Sequence, residues 1–157
     1  MSRAARLQIV AVGRLRPPHE AAGRAYEDRI RERVALRVDE VTAEPLQHGL
    51  DQVHRRESER LTGRLLPDAW RVALAPGGRA PASSEVLAEW LAGRLEVPRP
   101  TAFIIGGAAG LAPDLIDGAD ERLSLGPLTL PHQLARVVLA EQLYRGLCIV
   151  SGHPYHH

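Results

Sequence analysis

Thr101–Ile105 is a short run with no polar alternation, and the glycine loop Gly106-Gly107-Ala108-Ala109-Gly110 follows it directly. A strand without a polar face is buried on both sides, which is the condition of a strand inside a helix-covered parallel sheet. Such a strand needs others beside it, with helix-length segments between them. The sequence supplies both. Leu7–Val12, ended by Gly13, and Trp70–Ala75, ended sharply by Pro76-Gly77-Gly78, read as strands, and Val38–Ala43 and Glu121–Leu125 complete the set. His19–Arg37 reads as a helix with Ala22, Tyr26, Ile30 and Val34 on one stripe. Asp51–Leu65, a serine-capped segment from Ser83 or Ser84 to Leu95, Pro113–Gly118 and His132–Leu147 supply four more. The expected fold class is α/β: a mostly parallel sheet with helices on both faces, in one domain spanning 1–157.

Aromatics make up only 4% of the chain, so burial must rest on Leu, Val, Ile and Ala. All 20 basic residues are Arg. Residues 1–64 carry 13 Arg against 10 acids, residues 65–121 carry 4 against 8, and residues 122–157 carry 3 against 1. Both ends are therefore basic and the middle acidic. Guanidinium forks suit phosphate, although Arg-rich codon usage would remove Lys equally well. The lone Cys148 excludes an internal disulfide and any multi-cysteine metal site, and its apolar context predicts a buried thiol. No secretory leader and no membrane-length apolar run stands out, so a soluble, cytoplasmic protein without a membrane partner is expected.

In such sheets ligands bind beyond the carboxyl ends of the strands. Leu74–Gly78, Ile105–Gly110 and Leu125–Pro131 fall at such ends, and each carries Gly or Pro. The glycine loop is either a phosphate cradle or a tight strand-to-helix turn; it lacks the Gly-Lys-Ser/Thr ending of a P-loop. In Gly126-Pro127-Leu128-Thr129-Leu130-Pro131, the final proline forbids a continuing helix. Its free backbone groups and leucine walls suit a flat ring such as adenine, or the segment is a plain crossover. Gln133–Leu147 is apolar nearly all round, so it is buried on two faces, one of which can meet a second subunit. The polar helix Asp51–Leu65 is either solvated or faces a charged partner. The tail His153-Pro154-Tyr155-His156-His157 is either frayed or docked for proton work, and its histidine spacing fits no metal site.

Three blocks together resemble the ribosomal RNA large subunit methyltransferase H family of the SPOUT superfamily: Ile104–Leu111, Leu128–Arg145 with its Leu-Pro-His core, and His153-Pro154-Tyr155-His156. The opening Leu7–Gly13 resembles it too. The likeness is dense over 101–156 and loose over 14–70. It implies a C-terminal trefoil knot, an obligate homodimer, and S-adenosylmethionine as methyl donor, giving S-adenosylhomocysteine. The implied substrate is a pseudouridine of a 23S rRNA stem-loop in the assembled ribosome, methylated at N3. The donor-binding residues implied are Leu74, Gly107, Gly126, Pro127, Leu128, Thr129, Leu130 and Pro131. The chain departs from the family pattern at Ala75 and Ala109, where acids are frequent, and has Arg79 where Lys is frequent. Direct transfer would need help with the weakly acidic N3–H. Tyr155 and His153 are the candidates for orienting the base or relaying its proton, and Arg136 and Arg145 for stabilising the developing anion. A same-fold enzyme acting on tRNA, and a non-catalytic nucleotide- or RNA-binding module, are the alternatives.

Overall fold

A computed structural model describes residues 4–156. Five strands form one sheet in the order β2-β1-β4-β3-β5, and every neighbouring pair is parallel. They are β1 (Leu7–Val12), β2 (Leu36–Val41), β3 (Trp70–Arg79), β4 (Thr101–Ile105) and β5 (Glu121–Leu123). The helices are α1 (Glu20–Arg31), α2 (Leu50–Arg64), α3 (Ser84–Glu96), α4 (Pro113–Asp117) and α5 (His132–Ser151).

Strand alternation sorts the core into two layers. Leu7, Ile9 and Ala11 of β1, with Phe103 and Ile105 of β4, meet Ile30 of α1, Leu91 of α3 and Leu139 and Leu143 of α5. Val10, Val12 and Ile104 face the other way, onto Leu61 of α2 and Leu115 and Ile116 of α4. The whole of β1 and β4 is buried, as a central parallel strand requires. Gln8 is fully buried within β1, and both ends of its amide are satisfied. Nε2 donates to Asp39 Oδ2 and the Arg64 carbonyl, each at 2.8 Å, while Oε1 accepts from the Leu66 amide at 3.0 Å.

Element bounds differ from expectation in several places. The first helix stops at Arg31, not Arg37, because Leu36 pairs with Leu7 and starts β2 there. The third strand does not end at Pro76: Leu74 and Arg79 both oppose Leu123, so residues 75–78 bulge out and pairing resumes. The 44–49 loop contains a 3-10 turn, Leu46–His48. The last helix continues to Ser151, where Gly152 turns left-handed and the His153 and Gly152 amides donate to the Cys148 and Ile149 carbonyls. Ser83 caps α3 as expected, its Oγ accepting from the Val86 amide at 3.1 Å. Among the described residues no helix is long and apolar enough to cross a membrane.

Candidate active site at the carboxyl edge of the sheet

Because all pairings are parallel, every strand ends on the same edge. The sequence β4-β3-β5 across the sheet sets the three candidate loops side by side there. Gly106 lies so close to the returning chain that an added Cβ would stand 2.6 Å from the Gly110 carbonyl carbon. The Gly110 amide donates to the Gly107 carbonyl at 3.0 Å, closing a turn, and α4 begins only at Pro113. The loop is thus a tight turn and not a helix-start phosphate cradle. His54 of α2 donates from Nε2 to the Ala109 carbonyl at 3.0 Å and holds the turn from outside.

Beside it, the β3 bulge carries Leu74, half-buried, at its root. The third loop starts at Ser124, whose buried Oγ donates to the Gly126 carbonyl at 2.9 Å and accepts from the Gly126 amide at 3.2 Å. Gly126 has φ +131°, a conformation that other residues rarely adopt. Among the described residues the amides of Leu128, Thr129 and Leu130 donate to no backbone carbonyl, and Leu128 is 80% exposed. Backbone amides without a carbonyl partner thus stand beside leucine side chains, on a loop next to those that carry Leu74 and Gly107. They form an open shelf. The small void near them, about 40 Å³ and lined by Val72, Trp90 and Leu123 among others, has room for water and not for a cofactor.

α5 separates that shelf from the tail. His132, its first residue, is pushed toward the neutral form by burial and by the nearby Arg16 charge, against a weaker pull from Glu57. Gln133 holds the loop after β1: Nε2 donates to the Arg14 carbonyl at 2.7 Å and Oε1 accepts from the Arg16 amide at 2.9 Å.

The tail is docked. Tyr155 lies in a 3-10 turn (Pro154–His156), with its ring 4.7 Å from that of Tyr144 and Arg145 stacked over it at 5.1 Å. Its hydroxyl donates toward Glu141 Oε1 at 3.2 Å. Burial first, then the Tyr26 hydroxyl and the Glu141 charge, push the phenol well above its usual range, so it stays an O–H donor at neutral pH. Arg145 is bound to Glu141 at 2.6 Å, and its guanidinium donates to His156 Nδ1 at 3.2 Å. His156 in turn donates from Nε2 to Glu85 at 2.6 Å. His153 is exposed.

Arg136 is 3% exposed and pairs with Glu27 at 2.8 Å and Glu40 at 2.5 Å, tying α5 to α1 and β2. It is not grouped with Tyr155, and it faces carboxylates of its own chain. Sequence reasoning missed those carboxylates. It also missed Glu57, whose buried Oε2 accepts from the Glu44 amide at 3.0 Å. The usable signal was positional: Glu27 falls between Gly23 and Ile30 on the buried side of α1.

The chain matches the family described as predicted SPOUT methyltransferases over residues 5–156. It is 47% identical over 154 residues to "Ribosomal RNA large subunit methyltransferase H" of Acidiphilium cryptum, covering 97% of this chain and 94% of that one. It is 46% identical over 153 residues to the protein of the same name from Gemmatimonas aurantiaca, covering 96% and 99%. A solved probable methyltransferase from Bordetella pertussis shares the fold at TM-score 0.57 with 16% identity, over 91% of this chain and 95% of that one. By the extent of that match and those identities, the chain belongs to the SPOUT methyltransferase family.

Proposed function

We propose that this protein methylates N3 of a pseudouridine in a 23S rRNA stem-loop of the assembled ribosome, using S-adenosylmethionine. The observation that carries the reading is the near full-length likeness to proteins named ribosomal RNA large subunit methyltransferase H, joined to three adjacent Gly/Pro loops at one sheet edge. The donor supplies an electrophilic sulfonium methyl group. The unpaired amides of Leu128–Leu130 and the wall at Leu74 would hold its adenine, and Gly106 and Gly107 let the chain approach closely. Gly126–Pro131 would belong to a trefoil knot.

The protein acts as a homodimer in this reading. Along α5, Leu134, Ala135 and Val138 are only half-buried although apolar, so one stripe is left for a partner. Tyr155 reaches back to Glu141, nine residues past His132, or roughly 14 Å along the axis. The shelf and the tail of one chain therefore sit at different levels of α5. A twofold pairing through α5 would bring one protomer's tail toward its partner's shelf.

Tyr155 would stack on the target base and donate a hydrogen bond, and Arg145 would stabilise the imide anion as N3 gives up its proton and takes the methyl group. His153, exposed beside them, is the group available to accept that proton. Arg136 would act by positioning α5.

The test is incubation of labelled S-adenosylmethionine with intact ribosomes, free 23S rRNA and tRNA. Label confined to ribosomes, mapping to a pseudouridine, is expected. Label in tRNA, or in no RNA, would overturn the reading.

A further inference from the structure

Arginines in this molecule divide by what their guanidinium groups touch. Arg60, Arg136 and Arg145 hold carboxylates, and Arg29 and Arg33 lie over Tyr144. Arg14, Arg16, Arg55 and Arg56 are exposed, and among the described residues their guanidinium groups make no ion pair, hydrogen bond or ring contact. All four gather at the carboxyl edge. Arg14 and Arg16 sit on the loop after β1, whose backbone Gln133 holds fixed. Arg55 and Arg56 follow His54, which is bonded to the glycine turn. Both elements come near His132, since the charges of Arg16, from the loop, and of Glu57, from α2, act on it. Asp51 and Glu59 share α2 with Arg55 and Arg56 but form no ion pair with them.

At the start of α2 lies a wide hollow lined by His48, Gly49, Leu50, Asp51, Gln52 and Arg55. Beside it Leu46 and Leu50 are 61% and 59% exposed. Unpaired, exposed guanidinium groups on a fixed backbone are suited to phosphate oxygens. Exposed leucines beside such groups suit the face of an unstacked base.

Resting on the reading above, we propose that the loop after β1 and the first half of α2 form the rRNA-docking surface. In it Arg14, Arg16, Arg55 and Arg56 grip the phosphate backbone on the β1 side of the glycine turn, and Leu46 and Leu50 shelve a splayed base. The surface orients the substrate and takes no part in methyl transfer.

The test compares R14Q/R16Q and R55Q/R56Q with R64Q/R71Q in the full-length protein. Arg64 and Arg71 sit at the opposite edge, by Gln8 and at the start of β3, so the control removes the same charge elsewhere. Ribosome co-sedimentation is measured against salt concentration, alongside S-adenosylmethionine affinity and single-turnover transfer at saturating ribosomes. Each edge double variant should flatten the log–log salt slope by about 2, one unit per arginine. It should weaken ribosome binding at least ~10-fold, with donor affinity and saturated transfer rate within ~2-fold. The control should keep the wild-type slope. Wild-type slopes in both edge variants, equal losses in the control, or no ribosome binding by the wild type would each overturn the proposal. Ribosome binding through these arginines without methyl transfer would refute the enzymatic reading and leave the docking surface standing. Transfer with unchanged slopes would do the reverse.

Discussion

Truncating Arg136 to Ala would leave Glu27, a fully buried carboxylate, facing only Arg24 at 3.7 Å. A buried ion whose partner is removed costs about 3–5 kcal/mol, whereas replacing both members with apolar groups can be nearly neutral. Urea denaturation should show Arg136→Ala destabilised by about that amount and Arg136→Met/Glu27→Leu much less so. Equal losses in the two would mean that the pair stabilises α5 by charge and not by filling its place. The pairing was not legible from the sequence. Charges on a helix look solvated in one dimension, and these partners stand 109 positions apart. Gly106 makes the opposite case, since a strand followed by a glycine turn is a local feature. Gly106→Ala would push a methyl group to 2.6 Å from the Gly110 backbone, which must open the turn. We expect S-adenosylmethionine affinity to fall ~10-fold or more by calorimetry, since misplaced positioning groups lose factors of this size, with the fold retained by circular dichroism.

Connections between elements carry the pH dependence. The segment between β2 and α2 is held by Glu44, whose carboxylate accepts from His48 Nδ1 at 2.8 Å and from Arg60 at 2.6 Å. The hydrogen bond from His48 is the largest influence on it, burial opposes, and Arg60 adds to the lowering; together they hold the carboxyl at about 2. Glu40 is also held low: burial alone would raise it, but hydrogen bonding and charge from Arg136, then Arg24, outweigh that. A lowered folded-state pKa gives stability that is complete above the ordinary carboxylate value of 4.5 and lost as pH falls toward the folded value. Acid unfolding followed by circular dichroism should therefore develop between about pH 4.5 and pH 2. His48→Ala should move its midpoint to higher pH, and an unchanged midpoint would count against Glu44 as a source. The tail shows the same dependence of an element on its contacts. Its docking on Tyr144, Glu141 and Glu85 could not be inferred from a short polar stretch at a chain end, where fraying is usual. If Tyr155 acts by stacking, Tyr155→Ala should slow single-turnover transfer by ~10- to 100-fold while Tyr155→Phe loses much less, because a base–aromatic stack is worth about 1–3 kcal/mol. Equal losses would assign the role to the hydroxyl.

At the level of the whole molecule, the sheet was legible because its evidence is periodic and local: β1 and β4 are apolar runs closed by Gly, and β3 opens with an apolar run before its Pro76-Gly77-Gly78 bulge. Strand order, and hence the adjacency of three loops far apart in sequence, is a property of the assembled sheet. α5 lies between these cases. Its lack of a polar face announced burial on more than one side, and the structure covers it with α1 through Glu27–Arg136 and with α3 through Ser84–Gln142. The stripe of Leu134 and Val138 remains half-open, close in sequence to Leu128, which is 80% exposed. Apolar residues left half-open beside the buried face of this helix are what a twofold partner would cover, and that contact would also bring tail and shelf together across the interface. Val138→Arg places a charge on this stripe without disturbing the buried residues Leu139 and Leu143. The variant should keep its helical circular dichroism, sediment as a monomer at micromolar concentration, and lose methyl transfer. Because the site would be shared, mixing this variant with a Tyr155→Ala protein should not restore activity, whereas mixing two interface-competent variants, Tyr155→Ala and Gly106→Ala, should restore about a quarter to a half of it through heterodimers with one intact shelf-and-tail pair. Failure of that complementation, with mixed dimers demonstrated by mass, would place shelf and tail of each site within a single protomer.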